Sequence, residues 1–185
     1  MSDNEADQLA GTVDTEPTNW VNLPVEIAAS LLAATTVLVG LSVLHLPTWA
    51  IFIGWAGTFA MGGPTMANLK RIWPVMPLGS LTGFLIVLLF NQAAQVFSGN
   101  TYIVAEIVIL FCLNGAMISM ARVSSIFAFV PGMFFGFASF FATFFGGFGP
   151  DSTSPGAALI AAIAMNALGP VYAWLNMKLA APHGH

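Results

Sequence analysis

Between residues 24 and 178 the chain is a succession of apolar runs divided by short clusters of turn-forming residues. A membrane-spanning helix needs about 20 mostly apolar residues. By that ruler the runs read as six helices, near 24–45, 48–63, 76–97, 101–121, 124–146 and 155–178. The breaks are chemically marked: Leu46-Pro47, Gly62-Gly63-Pro64, Ser98-Gly99-Asn100, Arg122-Val123-Ser124 and Gly146-Gly147-Phe148-Gly149-Pro150-Asp151 hold mostly residues that stop helices or form turns. The second run is the shortest.

The pattern predicts an all-α polytopic membrane protein, and composition agrees. Hydrophobic residues make up 57% of the chain and charged residues 6%, where a soluble domain would carry roughly 25% charged residues. Five carboxylates, Asp3, Glu5, Asp7, Asp14 and Glu16, lie in the first sixteen residues, so the net charge of -4 belongs to a tail. Residues 1–23 therefore read as a disordered acidic cytoplasmic tail, 24–180 as the six-helix membrane domain and 181–185 as a short C-terminal tail. The start of the chain lacks a basic segment followed by an apolar one, so it does not read as a cleavable signal. Nucleic acid is not an expected partner of so acidic a chain. Cys112, the single cysteine, falls in an apolar run and leaves no intrachain disulfide or cysteine metal cluster.

Cytoplasmic loops hold an excess of Lys and Arg. With six crossings, Lys70, Arg71, Arg122 and Lys178 all fall on one side, which places both termini in the cytoplasm. Trp49 and Tyr102 then mark the outer boundary, and Trp73, Tyr172 and Trp174 the inner one, as interfacial anchors. Five crossings would keep the basic residues together but move the acidic tail outside, so charge alone leaves the count open.

An internal repeat favours six. Gly54-Trp55-Ala56-Gly57-Thr58-Phe59-Ala60 recurs as Gly136-Phe137-Ala138-Ser139-Phe140-Phe141-Ala142, and Glu26-Ile27 and Glu106-Ile107 open helices one and four at nearly the same spacing upstream. Two units with an odd number of crossings must insert upside down relative to each other, an inverted 3+3 arrangement with a pathway along the unit interface. Helices three and six show little similarity.

On a 3.6-residue period, Gly132, Gly136, Ser139, Thr143 and Gly146 share one face of helix five, opposite Phe134, Phe137, Phe141, Phe144 and Phe148. Helix two repeats the scheme, with Ala50, Gly54, Gly57 and Thr58 opposite Phe52, Trp55 and Phe59. Two readings follow. Small faces permit close helix packing, as in Gly132-x-x-x-Gly136, with the Phe face toward lipid or a neighbouring subunit; alternatively Thr58, Ser139 and Thr143 line a narrow pore with a Phe constriction. Pro131 predicts a kink or break in helix five.

Polar residues inside the runs are few. Glu106 and Asn114 in helix four and Asn166 in helix six are candidate pathway contacts, because an intramembrane polar group is a functional candidate by default. The blander roles are a headgroup-level helix end for Glu106 and interhelical hydrogen bonding for Asn91, Asn114 and Asn166, which should point inward. Asn91, Gln92 and Gln95 come near a helix end. No metal-ligand cluster, catalytic triad or phosphate loop is present, so no enzyme, metal or cofactor is expected.

At Trp49-Ala50-x-Phe52-x-Gly54 with Phe59-Ala60, and at Phe129-Val130-Pro131-Gly132-x-Phe134-x-Gly136-x-Ala138-x-x-Phe141-Ala142, the chain resembles the bacterial inner-membrane family described as domain of unknown function 1097, over roughly residues 27–178. The resemblance implies a small polytopic membrane protein and carries over no functional residues. The expected function is a channel or permease for a small neutral or weakly polar solute, running between helices two and five, in a homo-oligomer. The rival expectation is a non-transporting structural or accessory subunit of a larger membrane complex.

Overall fold

The computed structural model describes residues 19–180, so the tails expected over 1–23 and 181–185 lie outside the described residues except for 19–23. Among these residues six α-helices form: α1 Val25–Gly40, α2 Trp49–Ala60, α3 Met66–Val96, α4 Gly99–Ser119, α5 Val130–Phe145 and α6 Pro155–Leu179. Two single 3-10 turns, Met120–Arg122 and Ser125–Phe127, join α4 to α5. Three elements are long and apolar enough to cross a membrane, namely α3, the stretch Gly99–Arg122 and α6. The apolar helices α1, α2 and α5 have 16, 12 and 16 residues, about 18–24 Å at 1.5 Å per residue, against a hydrocarbon core of about 30 Å.

Three boundaries differ from the sequence reading, each for a backbone reason. Helix three begins at Met66 rather than 76, because the Thr65 hydroxyl accepts from the Asn68 amide (3.2 Å) and starts the helix ahead of Pro74 and Pro77, which it then absorbs. Helix one ends at Gly40 rather than 45, and the chain turns through Ser42 to His45, which has a φ of 47°. Helix five begins at Val130 rather than 124. Pro131 occupies its first turn, where a missing N–H costs nothing, so the expected break is the start of the helix.

The loops sort into two ends. At one, the Trp20 amide donates to the Lys178 carbonyl (2.8 Å), the Leu23 amide donates to that of Leu179 (3.0 Å), and Trp20 packs edge-on against Trp174. Gly63, between α2 and α3, sits against Met177 near the end of α6. Val75, Met117 and Met133 cluster with Met120 and Ala121, which brings the end of α4 and the start of α5 to this same end. At the opposite end, the Gly149 amide donates to the His45 carbonyl (2.9 Å) and Trp49 packs on Phe148. Asp151 lies in that loop, where the Thr153 hydroxyl and amide donate to its carboxylate (2.7 and 2.9 Å) and hold it below the ordinary carboxylate range.

The core consists of two parallel helix pairs, α3 with α5 and α2 with α6. In the first, Val75 packs on Met133, and Gly79 meets Gly136 so closely that a Cβ on Gly79 would overlap the Met133 carbonyl, and one on Gly136 that of Met76. In the second, Ile51 packs with Met165, and a Cβ on Gly54 would overlap the Asn166 carbonyl, and one on Gly169 the Gly54 backbone. Small residues set both crossings, as expected where no hydrophobic drive separates helix contact from lipid contact. Phe84, Phe140, Phe144 and Ala158 fill the space where α3, α5 and α6 converge.

The small faces follow the sequence reading: Ala50, Gly54, Gly57 and Thr58 are buried in α2, and Gly132, Gly136, Ser139 and Thr143 in α5, although Gly146 is exposed. The opposite faces follow it only in part. Phe52, Phe59, Phe134 and, beyond the helix, Phe148 are exposed, whereas Phe137, Phe141 and Phe144 are half-buried against the core, and Asn91, expected to point inward, is exposed. Trp55, assigned to the thick face, is instead buried against Tyr172 and Ala173 of α6.

Candidate functional site

Asn166 sits at the middle of α6, 2% exposed, beside the Gly54–Gly169 crossing. Its Oδ1 accepts from the Ser139 hydroxyl of α5 at 2.9 Å, and its Nδ2 is buried without a partner. Four residues later Pro170 lies inside the helix, and having no N–H it cannot donate to the Asn166 carbonyl. One residue thus offers an unpaired amide donor and a carbonyl released from the helix ladder. A void of about 10 Å³ adjoins it, lined by Ile72, Trp73, Met76, Pro77 and Ile163, near the lower limit of room for one water.

Hydroxyls ring this point. Thr143 donates to the Ser139 carbonyl (2.6 Å), Thr58 to that of Gly54 (2.8 Å) and Ser80 to that of Gly136 (2.8 Å). Thr58, Ser80, Ser139 and Thr143 are fully buried. The Trp73 indole donates to the Ala167 carbonyl at 3.2 Å. Each hydroxyl donates to a partner, so among these side chains the Asn166 amide nitrogen is the unfilled position, beside the carbonyl that Pro170 leaves free. Such a site interacts with neutral polar atoms, since no charged side chain belongs to it.

Of the sequence candidates, Thr58, Ser139, Thr143 and Asn166 gather at this seam, together with Gly54, Gly57 and Gly136. Pro131 and Gly132 mark the start of α5, with Gly132 against Phe129 and Val75. Glu106 and Asn114 do not join them. They lie on α4, which packs on α3 and barely touches α5, and both are half-buried there. The Tyr102 hydroxyl interacts with Glu106 one turn on, and Asn114 Oδ1 is buried without a partner. Ser80 is the residue the sequence did not single out. Its only signal was its place after Leu78-Gly79, which corresponds to Leu168-Gly169 before Pro170 in α6. Among the described residues no group of three or more His, Cys, Asp or Glu gathers to hold a metal.

Fold and site together define a class: an all-α chain with helices suited to a lipid bilayer, multi-pass by length and composition, around a buried neutral polar centre. Within that class the chain belongs to the family described as protein of unknown function DUF1097, whose model matches residues 26–181. No curated protein and no solved structure shows significant similarity to it.

Proposed function

We propose that the chain is a non-enzymatic channel or permease that passes a small neutral or weakly polar solute along the α2–α5 seam, past the Asn166 amide. One observation carries the reading: a side chain 2% exposed, at a tight helix crossing, keeps an amide nitrogen without a partner. An unmade buried hydrogen bond costs about 1–3 kcal/mol, and Ser139 needs only the acceptor Oδ1, not the amide N–H. A solute carbonyl or hydroxyl arriving at this point supplies the missing acceptor. The satisfied hydroxyls of Thr58, Ser139 and Thr143 describe the shut seam, and passage requires α5 to part from α6.

The same reading takes α1–α3 and α4–α6 as inverted units. Supporting it, Ile51 and Gly54 in α2 meet Met165, Asn166 and Gly169 in α6 as Met133 and Gly136 in α5 meet Val75, Met76 and Gly79 in α3, with identical spacings. Six crossings of a bacterial inner membrane, with both termini cytoplasmic, fit the gathering of Lys70, Arg71, Arg122 and Lys178 at the end where residues 20–23 meet 178–180. A homo-oligomer formed through α4 would cover Glu106 and Asn114, on a helix otherwise almost wholly exposed. That exposure also favours the second reading, an accessory subunit docked on a larger complex through α4.

Liposome flux decides between them. Vesicles holding the purified chain are expected to pass at least one of urea, ammonia, short amides or glycerol faster than empty vesicles, and Asn166→Leu to lower that flux about tenfold. Wild-type vesicles no leakier than empty ones would overturn the transport reading and leave the docked subunit.

A further inference from the structure

At the end of the bundle where residues 20–23 meet 178–180, charge is out of balance. Lys70, Arg71, Arg122 and Lys178 all lie at this end, and Lys70, Arg71 and Arg122 are exposed. Arg71 stands one turn before Val75 in α3, and Arg122 follows Met120 and Ala121 beyond the end of α4. Val75 and Met117 cluster with Met120 and Ala121, which brings Arg71 and Arg122 to neighbouring turns of the α3–α4 contact. Of the carboxylates among the described residues, Asp151 belongs to the opposite end, Glu106 lies about 20 Å along α4 from this one at 1.5 Å per residue, and Glu26 opens α1 here. Four basic side chains thus share this end with one acidic one.

The chain itself holds the complementary charge. Asp3, Glu5, Asp7, Asp14 and Glu16 precede residue 19, and the chain enters the bundle at this same end, where the Trp20 amide donates to the Lys178 carbonyl (2.8 Å) and Trp20 packs on Trp174. The Leu23–Ala180 bridge is parallel, so stepping back from Leu23 to Trp20 leads toward the bundle rather than away from it. Asp14 and Glu16 lie within about 20 Å of Trp20 however the chain runs, and Asp3 within about 60 Å. We propose that residues 1–18 dock on the basic end of their own bundle, with carboxylates on Lys70, Arg71 and Arg122. Exposed ion pairs are individually weak, and attachment at Trp20 compensates by holding the segment at an effective concentration of order millimolar. The contact needs neither the transport reading nor a membrane orientation, since the chain's own contacts place both the cations and the entry of the segment.

Carbodiimide coupling tests it, because the reagent joins a carboxylate to a lysine amine only where the two touch, and Lys70 and Lys178 are the chain's two lysines. The full chain is placed in nanodiscs of phosphatidylcholine mixed with phosphatidylglycerol and treated at about 10 mM and about 1 M salt, where charges are screened over about 30 Å and 3 Å. Mass spectrometry maps the joined residues. In low salt Lys70 is expected to couple to carboxylates of residues 3–16 within one chain, and about fivefold less in high salt. Arg71→Gln with Arg122→Gln, at exposed positions where folding is not at stake, should cut the low-salt coupling about fivefold and leave Tm unchanged. Absence of that coupling in low salt, coupling that ignores salt or the two substitutions, or coupling that runs only between copies overturns the proposal. Coupling present in pure phosphatidylcholine but lost once phosphatidylglycerol is added overturns it as well and assigns the cations to anionic headgroups. Solute flux has no part in this readout, so the docking result and the transport result fail separately.

Discussion

A methyl group on Gly136 would overlap the Met76 carbonyl, and one on Gly79 that of Met133, so the α3–α5 crossing holds only with hydrogen at both positions. The blocking atoms are backbone, and a whole helix must move to yield. Overpacking of a filled core costs typically about 1–3 kcal/mol, offset by roughly 1 kcal/mol of helix propensity gained from Gly to Ala. Gly136→Ala and Gly79→Ala should therefore each lower stability by about 1 kcal/mol, and at most about 2, in detergent unfolding. Gly156→Ala, whose new Cβ would meet only Ser154 Oγ at 3.7 Å, should be neutral or stabilising. Equal effects at all three sites would show that the crossing is looser than described. Gly136 was legible because small residues at four-residue spacing in an apolar run have few uses other than close approach; Gly79, in the longest helix, was not singled out. Asn166 was legible as inward-pointing, since lipid offers it no partner, and Ser139 as part of the small face of α5. Their mutual bond was not, because which polar atom finds a partner depends on helices distant in sequence.

Among the elements, α4 stands apart. It is long enough to cross the membrane, yet only Met117 of its own residues is buried, and it presents Ile103, Val104, Ile107, Val108 and Phe111 outward. Apolar exposure alone suits lipid. Half-buried Glu106 and the unpartnered Asn114 Oδ1 do not, since polar groups at membrane depth seek protein or water. Leu110 is exposed and shares the helix face of Glu106 and Asn114, whereas Cys112 lies on the other side of α4, so Leu110→Cys in a Cys112→Ser background probes the pairing face. If two copies pair through α4 as proposed, mild oxidation of that variant in native membranes should convert most of it to a disulfide-linked dimer, since a disulfide needs Cα atoms about 4.4–6.8 Å apart. A variant that stays monomeric on non-reducing gels, while a soluble maleimide still labels position 110 in detergent, would rule out that face. Helix positions were legible here because turn clusters punctuate apolar runs. Boundaries were less so: Pro74 and Pro77 look like a helix start, yet a Thr65 cap and the packing of Val75 and Gly79 on α5 carry α3 through them.

For the whole molecule, the decisive fact is which loops meet. Residues 20–23 lie against 178–180, Gly63 against Met177, and His45 against Gly149, so residues 20–23 and 178–180 share one end of the bundle and the loops alternate between ends. Charge grouped the basic residues with either five or six crossings and left open which side residues before α1 share; the contacts bring residues 20–23 to Lys178 without counting helices. Yet α2, α1 and α5 are short for a full bilayer, and the reading of all six as crossings rests on the alternation of their loops. Single cysteines in a Cys112→Ser background test it directly. With both termini cytoplasmic, Ser152→Cys should react with a membrane-impermeant maleimide added to intact spheroplasts, whereas Thr65→Cys and Ser125→Cys should react only in inverted vesicles. Reversal of all three would overturn the orientation and spare the alternation. Labelling of positions 65 and 152 from the same side would undo the alternation itself, and with it the inverted pairing of α2–α6 and α3–α5 on which a pathway through the Asn166 seam depends.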